Sequence, residues 1–203
     1  MAVVTEVLSK REEKTRRLII DNASKIFFKQ GFRNVSVEEL CEVIGVSKGS
    51  FYKYFANRDA LVETILDECY SELMPLITEN FNSDKDVEEI IETHYDLMVN
   101  FFMSRVSVRM LADIESQMPQ RWERIEKLRR VLEKGRKELF KRGQRQGTIR
   151  KDMDPETMSI VFDEIIESIF SPSFLISKDL TLKQAGSTIK NMLLRGIVEP
   201  KKK

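Results

Sequence analysis

Cysteine, histidine, proline and glycine are all scarce in this chain of 203 residues, which holds 2 Cys, 1 His, 5 Pro and 8 Gly. Each scarcity closes a class of function. Cys41 and Cys69 share no metal-ligand spacing and make no disulfide framework, as expected in a reduced cytoplasmic compartment. The lone His94 has no histidine, cysteine or carboxylate at ligand spacing, so neither a metal nor a cofactor is expected. G-x-S-x-G and a phosphate-cradling glycine loop are both missing, which argues against an enzyme. No window approaches 18 apolar residues, and the opening MAVVTEVLSKREEK turns charged before an apolar run develops. A cytoplasmic protein with no membrane partner is therefore expected.

What remains is rich in Leu, Ile, Glu, Lys, Arg and Met, so the expected fold is all-α. Apolar residues recur at helical spacing throughout, and nine helices can be read with no strand, repeat or long linker. The first ends at Gly31, after Ile19, Ala23, Ile26 and Phe27 on one face. The second opens on a Ser36/Glu39 capping box, the third on Ser47, and the fourth on Asn57 with Pro75 inside it or at its end. Helices over 87–102, 106–117 and 125–142 follow, and GQRQGT at 143–148 reads as a turn. Asp154-Pro155 opens a helix to 171, SPSFLISKDL reads as a loop, and a Thr181/Gln184 box opens the last helix, to 197. The lysine-rich tail is expected to fray.

Charge is unevenly placed. Residues 1–60 carry 11 Lys and Arg against 8 Asp and Glu, whereas residues 61–120 carry 3 against 13. Residues 121–151 reverse this with 13 against 4. Only the first block has the balance and motif of a surface facing a polyanion. Along the third basic helix, Glu123, Glu126, Glu133 and Glu138 stand three or four residues from several cations. That helix is either a self-paired solvated face or a receiver for an anionic ligand.

Two short helices joined at Gly45 make a helix-turn-helix pattern, whose second helix enters the major groove of duplex DNA. Within GVSKGSFYKYF, the small residues Ser47, Gly49 and Ser50 allow close approach, and the helix-end amides can take a phosphate. Lys48 and Lys53 reach bases or phosphates, and Tyr52 and Tyr54 offer hydroxyls to phosphate oxygens. Phe51 and Phe55 hold the helix to the core. Glu38 either accepts from a cytosine amine or is solvated.

Residues 31–66, GFRNVSVEELCEVIGVSKGSFYKYFANRDALVETIL, closely resemble the DNA-binding region of the tetracycline-repressor (TetR) family. The matching features are a glycine-aromatic pair ending the first helix, a Ser opening the second, the GVSKGSFYKYF helix, and N-R-D-x-L opening the fourth. The resemblance implies a DNA-binding domain over 1–57 and a ligand-binding and dimerisation domain over 58–203. It implies DNA contacts by Ser36, Lys48, Ser50, Tyr52, Tyr54 and Arg58, the last as a phosphate contact. It further implies a homodimer that reads a palindromic double-stranded operator and is joined through the last two long helices. Val161, Ile165, Ile169, Ile189, Leu193 and Ile197 are the interface candidates, and the apolar stripes of those helices are wider than one buried face needs. A small-molecule effector among the central helices is the remaining implication, a fatty-acid derivative or another apolar ligand. Its candidate lining is His94, Tyr95, Met98, Phe102, Met110, Leu111, Phe162, Ile166 and Phe170. The same stripe also reads as plain core, and a DNA-bound adaptor acting through a protein partner is the alternative function.

Overall fold

A computed structural model describes residues 9–198, apart from the side chains of seven residues between 167 and 182. Ile169 and Phe170 are among those seven, and the lysine-rich tail also lies outside the described residues. The described residues are all-α, with one isolated antiparallel bridge between Ile149 and Val198. The helices are α1 (Lys10–Gln30), α2 (Val37–Ile44), α3 (Lys48–Tyr54), α4 (Arg58–Phe81), α5 (Val87–Ser104), α6 (Val108–Gln117), α7 (Pro119–Gln146), α8 (Pro155–Phe170), α9 (Pro172–Ser177) and α10 (Leu182–Ile197). Nine correspond to the helices read from the sequence. The six-residue α9 is additional and occupies the segment expected as a loop.

The chain divides into two compact units, one up to Tyr70 and one from Ser71 on. The division falls inside α4, later than the functional boundary expected at 57/58. Leu61, Val62 and Ile65, from the first half of α4, are buried and fall in the first unit.

In the first unit, helix ends are set by local chemistry. Ser9 and Glu12 form a capping box on α1, a turn earlier than the apolar stripe alone suggests. Ser36 and Glu39 do the same for α2, and the Ser47 hydroxyl caps α3 by accepting from the Ser50 amide at 3.1 Å. Gly45 ends α2 at φ 77°, ψ 35°, a left-handed conformation that costs a residue with a Cβ about 1 kcal/mol or more. Its N–H donates to the Cys41 carbonyl at 2.9 Å, which closes the turn and aims α3. Beneath the turn lies a core of Ile19, Ile20, Ala23, Phe27, Phe32, Leu40 and Phe51, each almost wholly buried.

In the second unit, the core joins Val87, Ile90, Ile91 and Tyr95 of α5 to Leu139 and Phe140 of α7, Met158 and Phe162 of α8, and Ile189, Leu194 and Ile197 of α10. α7 runs on to Gln146, through the first residues of the expected turn, and only Gly147, at φ 79°, ends it. The N–H groups of Thr148 and Ile149 both donate back to the Gly143 carbonyl, at 3.0 and 3.2 Å. Ile149 is thereby folded onto the helix, where its side chain fills the space a Cβ on Gly143 would need. No helix among the described residues is long and apolar enough to cross a membrane.

Candidate nucleic-acid interface and ligand cavity

On α3 the aromatic residues divide by face. Phe51 and Phe55 are buried, with ring centroids 5.7 Å apart, and fix the helix to the first unit. Lys48, Gly49, Tyr52 and Lys53 are exposed, Tyr52 with half its surface open. Ser50 and Tyr54 are half-buried, and the Ser50 hydroxyl lies 3.0 Å from that of Ser47. Ser36 is exposed at the start of α2, but its hydroxyl already serves Glu39 as both acceptor and donor. Among these residues the solvent face of α3 therefore offers two amines, a phenol and a small residue, the donor set suited to phosphates and base edges.

Neither lysine is bare. Lys48 Nζ sits 2.5 Å from Glu38 on α2, and Lys53 pairs with Glu12 on α1. Glu38 is therefore exposed but ion-paired; Lys48 holds its carboxyl below the usual range and is itself raised. Lys53, followed by the Ser9 cap, brings the Glu12 carboxyl down to about 2.

Arg58, expected as a phosphate contact, is engaged within the protein. Its Nη1 donates to the carbonyls of Phe32 and Arg33 at 2.9 and 3.0 Å and more weakly to Val35 at 3.4 Å. Nε and Nη2 both donate to Asp59 Oδ1, and the guanidinium lies 5.7 Å from the centre of the Phe32 ring. These carbonyls belong to the turn between α1 and α2, which the fork holds in place. Nε, Nη1 and Nη2 of Arg58 are thus all engaged within the protein, an arrangement that holds this turn.

The second unit contains a cavity of about 290 Å³ among α5, α7 and α8. Six of the nine expected residues line it: His94, Tyr95, Met98, Phe102, Phe162 and Ile166. Met110 and Leu111 do not; they are buried on α6, in the packing of α6 against α7 and α9. Phe170 lies outside the described side chains.

The cavity also has a polar side that apolar periodicity could not reveal. Arg136 is buried, ion-paired with Asp163 of α8, and its guanidinium stands 4.8 Å from the centre of the Phe162 ring. Burial pulls its pKa down to about 10, so it remains charged at neutral pH. His94 is only 7% exposed, its ring centre 4.9 Å from that of Phe81 and tilted to it by 42°, and its Nδ1 has no hydrogen-bond partner. Burial, and then the Arg136 charge, push its pKa down to about 3, so the imidazole is neutral. Burial alone pushes the Tyr95 phenol up. The missed signal was two opposite charges, Arg136 and Asp163, each interrupting an apolar stripe.

Of the other cations of α7, Arg129 and Arg130 also line the cavity, whereas the rest lie elsewhere. Lys127, Arg129 and Lys141 pair with Glu123, Glu126 and Glu138 on the same helix, at 2.7 to 2.8 Å, and Lys137 pairs with Glu156 at 2.7 Å. Arg142 donates to the Ser83 and Lys85 carbonyls at 3.2 and 3.4 Å. This pattern is that of a self-paired face.

On α8 and α10, Ile189 and Ile197 are buried in the core of the second unit, and Ile165 and Leu193 pack partly against it. Val161 and Met192 are 49% and 64% exposed. With Met153 and Leu193 they line an apolar groove of about 390 Å³.

Residues 19–65 match a family described as bacterial regulatory proteins, tetR family. An uncharacterized HTH-type transcriptional regulator of Bacillus subtilis, YuxN, is 39% identical over 54 residues, 27% of this chain and only 19% of that protein. The HTH-type transcriptional repressor KstR2 of Rhodococcus jostii is 21% identical over 158 residues, 70% of this chain and 71% of that one. The solved structure of the ketosteroid transcriptional regulator KstR2 of Mycobacterium tuberculosis superposes with a TM-score of 0.66 at 19% identity, covering 97% of this chain and 100% of that one.

Proposed function

Because this chain belongs to the TetR family of DNA-binding transcription regulators, we propose that it is a cytoplasmic repressor that binds a palindromic operator as a homodimer and is released by a small, largely apolar effector. The observation that carries the sensor part is the cavity of about 290 Å³, with a buried, unpartnered His94 nitrogen on its wall. A protein that acted only as an adaptor would have no use for such a space, and filling it with side chains would stabilise it. The exposed lysines and tyrosine of α3 support contact with the major groove, with Ser36, Ser47, Ser50 and Tyr54 shaping and supporting that face.

The dimer reading is supported by Val161 and Met192, large apolar residues exposed on the two helices expected to pair. It rests on these rather than on Ile189 and Ile197, which the subunit has already buried. Occupying the cavity would favour one arrangement of the dimer, and only a ligand that binds that arrangement better can shift the balance.

Footprinting on DNA upstream of the protein's own gene tests this. Two protected half-sites about one helical turn (~34 Å) apart are expected. A single unpaired half-site, or protection that no added small molecule relieves while the cavity is shown to be filled, would refute the dimeric sensor.

A further inference from the structure

The effector's chemistry can be narrowed from the polar side of the cavity, on the premise that this cavity is the effector site. Arg136 Nη1 makes only its ion pair, and among the other buried polar atoms of the lining residues Nδ1 of His94 and Oδ2 of Asp163 have no hydrogen-bond partner. Both belong to residues that neighbour the Arg136 guanidinium, which is ion-paired with Asp163 and whose charge is felt by His94. A buried carboxylate oxygen is an acceptor only, and leaving it unmatched is costly. A ligand that brings a donor removes that cost; one that brings only acceptors adds to it.

Charge selects in the same direction. Arg136 and Asp163 balance one another, as do Arg129 and Glu126 at 2.7 Å. Glu133 adds a further half-buried carboxylate to the lining. A carboxylate or phosphate ligand would have to displace Asp163 from Arg136 and lie beside an unmatched carboxylate oxygen in a poorly solvated space. An ammonium would be set against Arg136 itself. A neutral donor meets neither obstacle.

Apart from Arg130 and Glu164, a cation and a carboxylate that are both exposed, the remaining wall is largely apolar and includes Met98, Phe102, Leu132, Phe162 and Ile166. A cavity of about 290 Å³ is at the lower end of small-molecule sites, suited to a compact body rather than a long chain with a large headgroup.

We propose that the cavity takes a neutral alcohol or phenol with a compact apolar body, whose O–H donates to Asp163 Oδ2 and whose oxygen accepts from His94 Nδ1 in the tautomer that carries the proton there. This excludes the fatty-acid and acyl-coenzyme A classes as direct occupants.

The test is isothermal titration of the full-length protein with four probes that share one ring system: 2-naphthol, 2-methoxynaphthalene, 2-naphthoate and 2-naphthylmethylammonium. At neutral pH naphthol is expected to bind at least tenfold more tightly than each of the others. Methoxynaphthalene isolates the donor, since it keeps the oxygen and loses the hydrogen. Asp163→Asn removes the negative charge and leaves Arg136 without its counterion, and is expected to shift preference toward naphthoate by tenfold or more. Met98→Trp, which fills the cavity, is expected to abolish binding of naphthol. If methoxynaphthalene or naphthoate binds the unaltered protein as tightly as naphthol, the ligand class is overturned while the cavity stands as an apolar site. Should none of the four bind, or should Met98→Trp leave naphthol binding unchanged, the cavity itself is not the effector site and both readings fall.

Discussion

Replacing Glu38 by glutamine separates two roles for a carboxylate that lies against Lys48, the lysine proposed to contact DNA. Lys48 Nζ is 2.5 Å from Glu38 Oε1, and both side chains are more than half exposed. An exposed pair of this kind is weak, so DNA can open it, but opening it opposes binding in each head. Removing the carboxylate leaves Lys48 free for phosphate and takes a negative charge away from the approaching backbone. Glu38→Gln is therefore expected to tighten binding roughly two- to fivefold per head, on operator and scrambled DNA alike. Lys48→Ala should do the opposite, lowering the slope of log affinity against log salt by about 0.9 per head. In a dimer that doubles to about 1.8, so the affinity ratio between 50 and 200 mM salt should shrink about tenfold. Fluorescence anisotropy with labelled operator and scrambled duplexes at three salt concentrations measures both effects. The reasoning fails if Glu38→Gln weakens operator binding tenfold or more while leaving scrambled DNA unaffected. That outcome would make Glu38 a reader of cytosine, with its lysine pair a resting state only.

Three further expectations concern stability. Arg58→Lys should lower stability by about 1–2 kcal/mol in urea titration, because a single ammonium cannot serve the turn carbonyls, as Nη1 does, and Asp59 Oδ1, as Nε and Nη2 do, at the same time; its DNA salt slope should be unchanged, and a slope reduced by about 1 would restore the phosphate role. Gly143→Ala should destabilise by about 1–3 kcal/mol despite a helix-propensity gain of about 1, since the added Cβ would lie 2.3 Å from Ile149 Cγ1 and 3.1 Å from Val87 Cγ1; an unchanged or raised melting temperature would show that Ile149 moves freely. His94 is held neutral down to about pH 3, whereas in the unfolded chain it protonates near 6.5. The unfolded state thus binds the extra proton, and stability falls as pH drops from 6.5 toward 3, by up to about 1.4 kcal/mol per pH unit from this group. His94→Gln should flatten that part of the stability profile, and an identical profile would refute the assignment.

The sequence by itself determined the helix-turn-helix head, because everything that specifies it is local. Ser36 with Glu39, Gly45, Ser47 and Asn57 act within a turn of their own positions, and each does in the fold what its place in the chain implies. The spacing of Phe51 and Phe55 likewise identified the buried face of α3 without reference to any other segment. Periodicity also put His94, Tyr95, Met98, Phe102, Phe162 and Ile166 on inward faces, and the cavity uses all six.

Only the tertiary structure decided which distant groups meet. Periodicity states that a face is buried but not against what, so Met110 and Leu111 read like pocket residues and belong to ordinary packing. Ile189 and Ile197 read like interface residues and are buried in the core of the second unit. Arg58 finds its partners 23 to 26 residues earlier, Lys53 its glutamate 41 residues earlier, and Arg136 its aspartate on another helix. A cation's role is set by whether an acceptor is within about 4 Å, and that distance depends on how helices pack. The head was legible because its geometry comes from short-range hydrogen bonds, whereas the polar side of the cavity comes from long-range electrostatics between helices.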